Sequence, residues 1–92
     1  MKPKINQKVY IIYQNQIYQE TVGYLGEQSF IINSYECLVS VEFEYKDYNI
    51  VWFRSLEKAK KELLKKYKKY GCKVTIEQIN QNTWEVVEDE NE

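Results

Sequence analysis

The segment from Trp52 to Lys73 constrains the fold most, because it reads as one capped amphipathic helix. Ser55 stands where an N-cap residue would accept a hydrogen bond from the first turn, and Gly71 can adopt the left-handed conformation that ends a helix. Between them the residues are mostly Leu, Ala, Glu and Lys, which are strong helix formers. The sequence therefore predicts a helix over residues 55–70.

This helix has an apolar side and a basic side. At 100° per residue the apolar and aromatic side chains fall within an arc of roughly 140°; they are Leu56, Ala59, Leu63, Leu64, Tyr67 and Tyr70. The opposite side carries Lys58, Lys61, Lys65, Lys68 and Lys69. An apolar stripe of this kind is buried against another element, so the helix is expected to cover one side of a sheet.

The residues before the helix have the composition and alternation of short strands. Three apolar runs, VYIIY, IYQETVGYL and SFIIN, are separated by polar or glycine-containing breaks and predict a three-stranded meander. Gly23 lies within the second run, where it indicates a bulge or a sharp bend. VEFEY and IVWF follow and predict a second hairpin around residues 46–49. Residues 34–37 are expected to form a loop or a crossing, and residues 1–7 to fray.

A third hairpin is predicted after the helix, from KVTIEQI and TWEVVE on either side of residues 80–82. In this register Ile76 opposes Val86 and Gln78 opposes Trp84 on the buried side.

The whole chain is predicted to be one α+β domain over residues 1–92. Its expected parts are a five-stranded sheet over 8–54, the helix over 55–70, the hairpin over 73–88 and a disordered acidic tail over 89–92.

The formal net charge of −1 conceals a strong segregation of charge. Residues 56–73 contain eight lysines against Glu57 and Glu62, whereas residues 74–92 contain six acidic residues and no lysine or arginine. The molecule is therefore expected to be electrically bipolar, with a basic helix and acidic strands.

The residue inventory argues against catalysis. Histidine is absent, which removes the usual general base near neutral pH and the commonest nitrogen ligand for metals. Cys37 and Cys72 are far apart and lie in no CxxC motif. Glu42 and Glu44 alternate onto a face expected to be solvated, which is not a setting for acid–base catalysis. We therefore expect no enzymatic activity, no metal and no cofactor.

The apolar runs are only a few residues long, so neither a membrane span nor a secretion signal is expected. Two isolated cysteines favour free thiols in a reducing, cytoplasmic setting.

Spaced aromatics in the first half carry a family resemblance. A strand with Val9 and Tyr13, followed by Tyr18 and Val22, then VEFEYKDYN and IVWF, resembles the small SH3-like barrels and above all the Tudor-type pattern. The resemblance implies a strongly bent antiparallel sheet that presents an aromatic pocket to a peptide or a methylated basic side chain, or a face to nucleic acid.

Four tyrosines lie at strand ends or turns, where such a barrel would gather them at one rim, and three acidic residues nearby would favour a basic partner. The predicted protein-binding site is Tyr13, Tyr18, Glu42, Glu44, Tyr45, Asp47 and Tyr48.

The size and the Lys, Ile, Asn, Tyr and Glu bias also resemble small accessory proteins of phages and plasmids from low-GC Gram-positive bacteria. That resemblance implies interference with a host defence or regulatory enzyme. The leading hypothesis is a non-enzymatic binding protein that contacts a protein partner stoichiometrically, either a host protein or another copy of itself. The alternative is sequence-nonspecific binding of nucleic acid by the five lysines of the helix. Arg54 is the only arginine, so the chain has few side chains that could recognise particular bases.

Overall fold

The computed structural model describes residues 1–33 and 42–88, and it is an α+β fold in which one helix packs on a strongly curled antiparallel sheet. The predicted loop at 34–37, Cys37 and the predicted tail at 89–92 lie outside these residues. The elements in chain order are β1 (Lys8–Tyr13), β2 (Gln16–Leu25), β3 (Ser29–Asn33), β4 (Glu42–Glu44), a 3₁₀ turn (Tyr45–Asp47), β5 (Trp52–Phe53), α1 (Leu56–Lys68), β6 (Val74–Asn80) and β7 (Thr83–Glu88).

Both predicted helix caps are confirmed. The Ser55 hydroxyl accepts a hydrogen bond from the Lys58 amide at 3.4 Å. At the other end Gly71 has a φ of 74°, and the Cys72 amide donates to the Tyr67 carbonyl at 3.1 Å. This pairing is the Schellman arrangement, which satisfies carbonyls that the end of a helix leaves free.

The apolar stripe of α1 is shorter than predicted. Ala59 and Leu63 are buried, and Leu56 and Tyr67 pack against the same cluster. Tyr70, by contrast, is 78% exposed, so its predicted place in the stripe is wrong. The reason is that α1 ends at Lys68, and the capping turn carries Tyr70 away from the sheet.

The sheet has the strand order β4-β3-β2-β1-β5. The predicted second hairpin is therefore wrong, because β4 pairs with β3 and β5 pairs with β1. The 3₁₀ turn carries the chain from one end of this order to the other. The indole Nε1 of Trp52 in β5 donates to the carbonyl of Glu44 in β4 at 2.8 Å, so a side chain links the two ends of the curled sheet.

Opposite faces of this one sheet support two separate cores. Adjacent strand residues point to opposite faces, and Trp52 and Phe53 accordingly belong to different clusters. The inner face carries the first cluster: Val9, Ile11, Val22, Phe30, Ile32 and Trp52. The outer face carries the second, where α1 packs: Ile17, Phe53, Ala59, Leu63 and Trp84.

The predicted irregularity at Gly23 is a bulge, with a register shift between Val22 and Tyr24. The extra residue reverses the alternation of β2. Val22 lies in the inner core and Leu25 packs against that core, whereas Tyr24 projects from the outer face and is 61% exposed.

The β6–β7 hairpin has the predicted register, with Ile76 opposite Val86 and Gln78 opposite Trp84. Gln78 is exposed, however, so its predicted place on the buried side is wrong. β7 also pairs with the first part of β2, from Gln16 to Tyr18, while β3 pairs with the second part, from Thr21 to Leu25. Two strands thus share one edge of β2, and between them lies a gap that we call the fork.

The first residues are held rather than frayed. The Asn6 amide donates to the Val22 carbonyl at 2.8 Å, and the Val22 amide donates to the Gln7 carbonyl at 2.9 Å. Pro3 is buried. The segment before β1 therefore extends the β1–β2 pairing, a stabilisation that the polar sequence does not reveal.

Gly23 gives a first testable prediction. A Cβ at this position would lie 2.7 Å from Asn33 Cγ and would displace that side chain. We expect Gly23→Ala to lower the free energy of unfolding by about 1 kcal/mol because of this overlap. In an Asn33→Ala background the same change should instead stabilise by about 0.5 kcal/mol, since alanine restricts the unfolded chain more than glycine. Urea denaturation of the four proteins, followed by tryptophan fluorescence, measures the cycle; equal effects of Gly23→Ala in both backgrounds would show that Asn33 is not the obstacle.

Candidate functional site

A polar cleft occupies the fork, between the end of β3 and the start of β7. Its volume is about 260 Å³, and its lining consists of Lys8, Tyr18, Gln19, Glu20, Thr21, Asn33, Asn82 and Thr83. The Gln19 amide donates to the Asn82 carbonyl at 2.8 Å, which ties β2 to the turn before β7. The fork cleft therefore has a floor from β2 and walls from two strands that sequence separates widely.

Two of the residues that line the fork cleft, Glu20 and Thr83, are polar and buried. Glu20 is 7% exposed and Thr83 is 5% exposed, and they are the two buried polar residues in the described part of the chain. Glu20 pairs with Val9 across β1–β2, so its side chain lies on the inner face, in the row that elsewhere forms the apolar core. Burying a carboxylate among apolar residues carries a desolvation cost. A buried ionisable group in a cleft therefore marks a candidate site.

A second candidate surface lies beside the fork cleft on the outer face of β2, β3 and β4. Tyr24 pairs with Ile31, which pairs with Glu42, so the three side chains form a row across the strands. Tyr24 is 61% and Ile31 38% exposed, and Glu44 lies on the same face. We call Tyr24, Ile31, Glu42 and Glu44 the outer patch. The helix packs on β1, β5 and β6 and leaves this face uncovered.

Two of the four predicted rim tyrosines belong to the inner core. The Tyr45 ring stacks on Phe30 with centroids 6.1 Å apart, and its hydroxyl donates to the Gly26 carbonyl at 2.7 Å. The Tyr48 ring lies 4.8 Å from that of Trp52. Both rings therefore pack against the inner core.

The other predicted residues are dispersed. Tyr13 is half-buried at the end of β1, and the Tyr18 hydroxyl donates to the Gln16 side chain at the wall of the fork cleft. Asp47 lies in the 3₁₀ turn, where its carbonyl accepts from the Val51 amide at 2.9 Å.

Glu42 and Glu44 lie together on the outer patch. The Ser29 hydroxyl donates to the Glu42 carboxylate at 2.5 Å, and the Glu44 carboxylate lies 3.5 Å from the Lys46 ammonium. The predicted site is therefore distributed between the core, the fork cleft and the outer patch.

The predicted lysine face is also divided. Lys58, Lys61 and Lys65 line a groove of about 320 Å³ with Asn49, Phe53 and Glu62. Lys68 lines a separate recess with Leu64 and Cys72, and Lys69 is exposed at the helix C-cap. Within the described residues, the ion pairs of α1 are Lys60 with Glu57 and Lys65 with Glu62, and none reaches β6 or β7. The acidic hairpin therefore does not neutralise these lysines by direct pairing.

The sequence interpretation missed Glu20 and Tyr24. For Tyr24 a signal was present, since a bulge at Gly23 reverses the alternation and turns the next residue outward. For Glu20 the only local signal is an acidic residue at an inward position of β2. Its importance depends on the pairing of β7 with β2, which no local pattern predicts.

Within residues 1–33 and 42–88, no three His, Cys, Asp or Glu side chains converge as a metal site would require. The helix in this part of the chain is not long and apolar enough to cross a membrane.

No protein-family model matches the chain, and comparison with curated proteins and with solved structures finds no significant match.

The division of the tyrosines gives a second prediction. Tyr45→Phe removes the hydrogen bond to the Gly26 carbonyl and should lower the free energy of unfolding by about 1 kcal/mol. Tyr24→Phe makes the same chemical change on an exposed ring and should alter it by less than about 0.5 kcal/mol. Chemical denaturation compares the two variants, and a larger loss from Tyr24→Phe would reverse the assignment of core and surface.

Proposed function

We propose that this protein is a non-enzymatic binding protein that acts by stoichiometric contact with a protein partner, and that the outer patch is its docking surface. The observation that carries the proposal is the exposed pair Tyr24 and Ile31 on a sheet face that α1 leaves uncovered. Aromatic side chains are enriched at the centres of protein interfaces, because they bury a large area and lose little conformational entropy.

The charged residues around the outer patch indicate which kind of partner surface it would bind. Glu42 and Glu44 flank the apolar pair, and Glu27 is exposed in the turn that joins β2 to β3. Lys46 is 3.5 Å from Glu44 and offsets one of these charges. The partner surface is therefore one that presents an apolar contact surrounded by basic side chains.

The strand order supports a finer assignment of the fold. The order β5-β1-β2-β3-β4, with a 3₁₀ turn between β4 and β5 and a bulge in the long β2, resembles the arrangement of small SH3-like barrels. We propose that residues 8–54 form such a barrel, to which α1 and the β6–β7 hairpin are added. Barrels of this type are recognition modules, which agrees with a binding role.

By the compositional resemblance to phage and plasmid accessory proteins, the partner would be a defence or regulatory enzyme of a low-GC Gram-positive host.

The docking proposal predicts a patch-specific loss of binding. A variant with Tyr24→Thr and Ile31→Thr keeps residues that favour strands but removes the apolar pair. Affinity capture from a low-GC Gram-positive lysate, with quantitative mass spectrometry, should enrich proteins that this variant loses by about tenfold or more. Light scattering of the purified complex should then give a fixed stoichiometry.

A matched control uses the same substitutions elsewhere on the surface, Tyr70→Thr and Ile79→Thr, at residues that are also exposed. The control should retain the captured proteins. Equal capture by both double variants, or no enrichment by the unaltered protein at low salt, would reject the outer patch. Light scattering of the unaltered protein alone would reveal another copy of the chain as the partner.

Nucleic-acid binding is the second candidate, and one observation favours it: three of the five predicted lysines converge on one groove beside Asn49 and Phe53. The acidic outer patch and the Glu62 carboxylate in the groove itself weigh against it.

This candidate predicts a salt-dependent affinity for a generic duplex, falling steeply between about 50 and 200 mM salt. Replacing Lys58, Lys61 and Lys65 by Gln should reduce the log-log salt slope by about three, while the matched set Lys66, Lys68 and Lys69 should change it less. Fluorescence anisotropy measures both slopes. Identical slopes for the two triple variants, or no binding at low salt, would exclude the groove.

A further inference from the structure

We propose that the outer edge of β6 pairs with the same edge of a second copy of this chain. The two strands would run antiparallel and be centred on Thr75, so that both hairpins join in one sheet of order β7-β6-β6-β7. The pairing does not involve the outer patch, which lies on β2, β3 and β4.

β6 has no second strand beside it within the part of the chain that the structure describes. β7 pairs with both β6 and β2, whereas β6 pairs with β7 alone. No backbone hydrogen bond joins β6 to a described residue outside the hairpin. Five of the seven residues of β6 are exposed, and none is proline. An exposed strand edge of this kind is a template for pairing with another chain.

The first part of β6 is the regular part. The register of β6 on β7 shifts between Gln78 and Asn80, and an irregularity of this kind blunts an edge at that end of the strand. Before the shift the pairing is continuous, from Val74 opposite Glu88 to Gln78 opposite Trp84. A second strand would therefore add beside the beginning of β6 rather than its end.

Two like charges face each other on the exposed side of the hairpin. Glu77 lies directly opposite Glu85, an arrangement that destabilises an antiparallel pair. The Glu85 carboxylate accepts a hydrogen bond from the neutral Gln16 amide at 3.3 Å, but neither carboxylate forms an ion pair with a described residue. Lys73, which directly precedes β6, is exposed and likewise has no ion pair among these residues. The hairpin thus carries two uncompensated carboxylates and an unused cation.

A second copy brings these opposite charges together. In the pairing centred on Thr75, Lys73 of each copy comes opposite Glu77 of the other, and the two threonines meet at the centre. On the other face of the sheet, Val74 of each copy comes opposite Ile76 of the other, and both are half-buried in one copy alone. Opposite charges, threonine pairs and apolar pairs all stabilise an antiparallel ladder.

Neighbouring registers lack this match. Centred on Val74, the pairing places Lys73 against Thr75. Centred on Ile76, it places Thr75 against Glu77. Centred on Glu77, it places the two Glu77 carboxylates against each other. The register centred on Thr75 is therefore the one in which the opposite charges pair, and this self-complementarity favours a second copy over a strand of another protein.

Sedimentation equilibrium from micromolar to millimolar concentration should show a reversible equilibrium between monomer and dimer. Glu77→Lys places like charges at two symmetric positions and should raise the dissociation constant of the dimer by about tenfold or more. The same change removes the repulsion from Glu85, so it should not impair folding. Glu27→Lys makes an equal change of charge at an exposed residue between β2 and β3, and should leave the dissociation constant unchanged.

A charge exchange tests whether the two positions face each other. Lys73→Glu alone should weaken the dimer as Glu77→Lys does. The double variant with Lys73→Glu and Glu77→Lys should restore the dissociation constant to within about threefold of its original value, because each new glutamate again faces a lysine.

Cysteine cross-linking tests the register independently of charge. In a background with Cys37→Ser and Cys72→Ser, a mild oxidant should link Thr75→Cys into a covalent dimer faster than Glu77→Cys. The reason is that position 75 meets its own counterpart, with Cβ atoms about 5 Å apart.

A monomer at every concentration would overturn the pairing. So would a dimer that Glu77→Lys weakens no more than Glu27→Lys does, a double variant that stays weak, or equal cross-linking at positions 75 and 77. The variant with Tyr24→Thr and Ile31→Thr should dimerise normally, and Glu77→Lys should retain the proteins captured from lysate. Absence of a dimer with intact capture therefore rejects the β6 pairing and spares the outer patch, and a dimer without capture does the reverse.

Discussion

The indole of Trp52 is the contact on which the inner core depends. Its ring packs edge-on against Phe30 with centroids 4.8 Å apart, and its Nε1 donates to the Glu44 carbonyl at 2.8 Å. β4 and β5 are the two ends of the strand order, and they are only three and two residues long. Strands this short form few backbone hydrogen bonds with their neighbours. A buried side chain that fills the core and bonds to the opposite strand therefore stabilises the curl of the sheet.

Both candidate surfaces lie along β2, one edge of which is shared by β3 and β7. β3 pairs with the second part of β2, on both sides of the bulge at Gly23, while β7 pairs with the first part, and the two strands separate between Tyr18 and Thr21. The fork cleft lies where these two strands separate, and the outer patch lies where the reversed alternation brings Tyr24 to the surface. The division of one edge of β2 thus makes the polar cleft, and the bulge in the same strand exposes the aromatic ring of the proposed docking face.

Much of the fold could be predicted, because much of it is local. The caps at Ser55 and Gly71 and the register of the β6–β7 hairpin depend on residues close in sequence, and each was predicted correctly. The pairing of β5 with β1 could not be predicted, since alternation identifies a strand but not its neighbour. The candidate site was predicted less well than the fold: Glu42 and Glu44 are on an exposed face as expected, whereas Tyr45 and Tyr48 are held in the inner core.

Local sequence alone thus determines that this chain has one capped helix with an apolar stripe, strands before and after it, and a segregated charge, because propensity, capping and periodicity act within a few residues. Tertiary structure decides which polar residue is buried and which aromatic is exposed. Glu20 is buried on the inner face of the curled sheet, opposite Val9 of β1, and Tyr24 is exposed on the part of the outer face that α1 does not cover. Burial depends on residues that are distant in sequence, so it follows from the pairing of strands rather than from the pattern within any one of them.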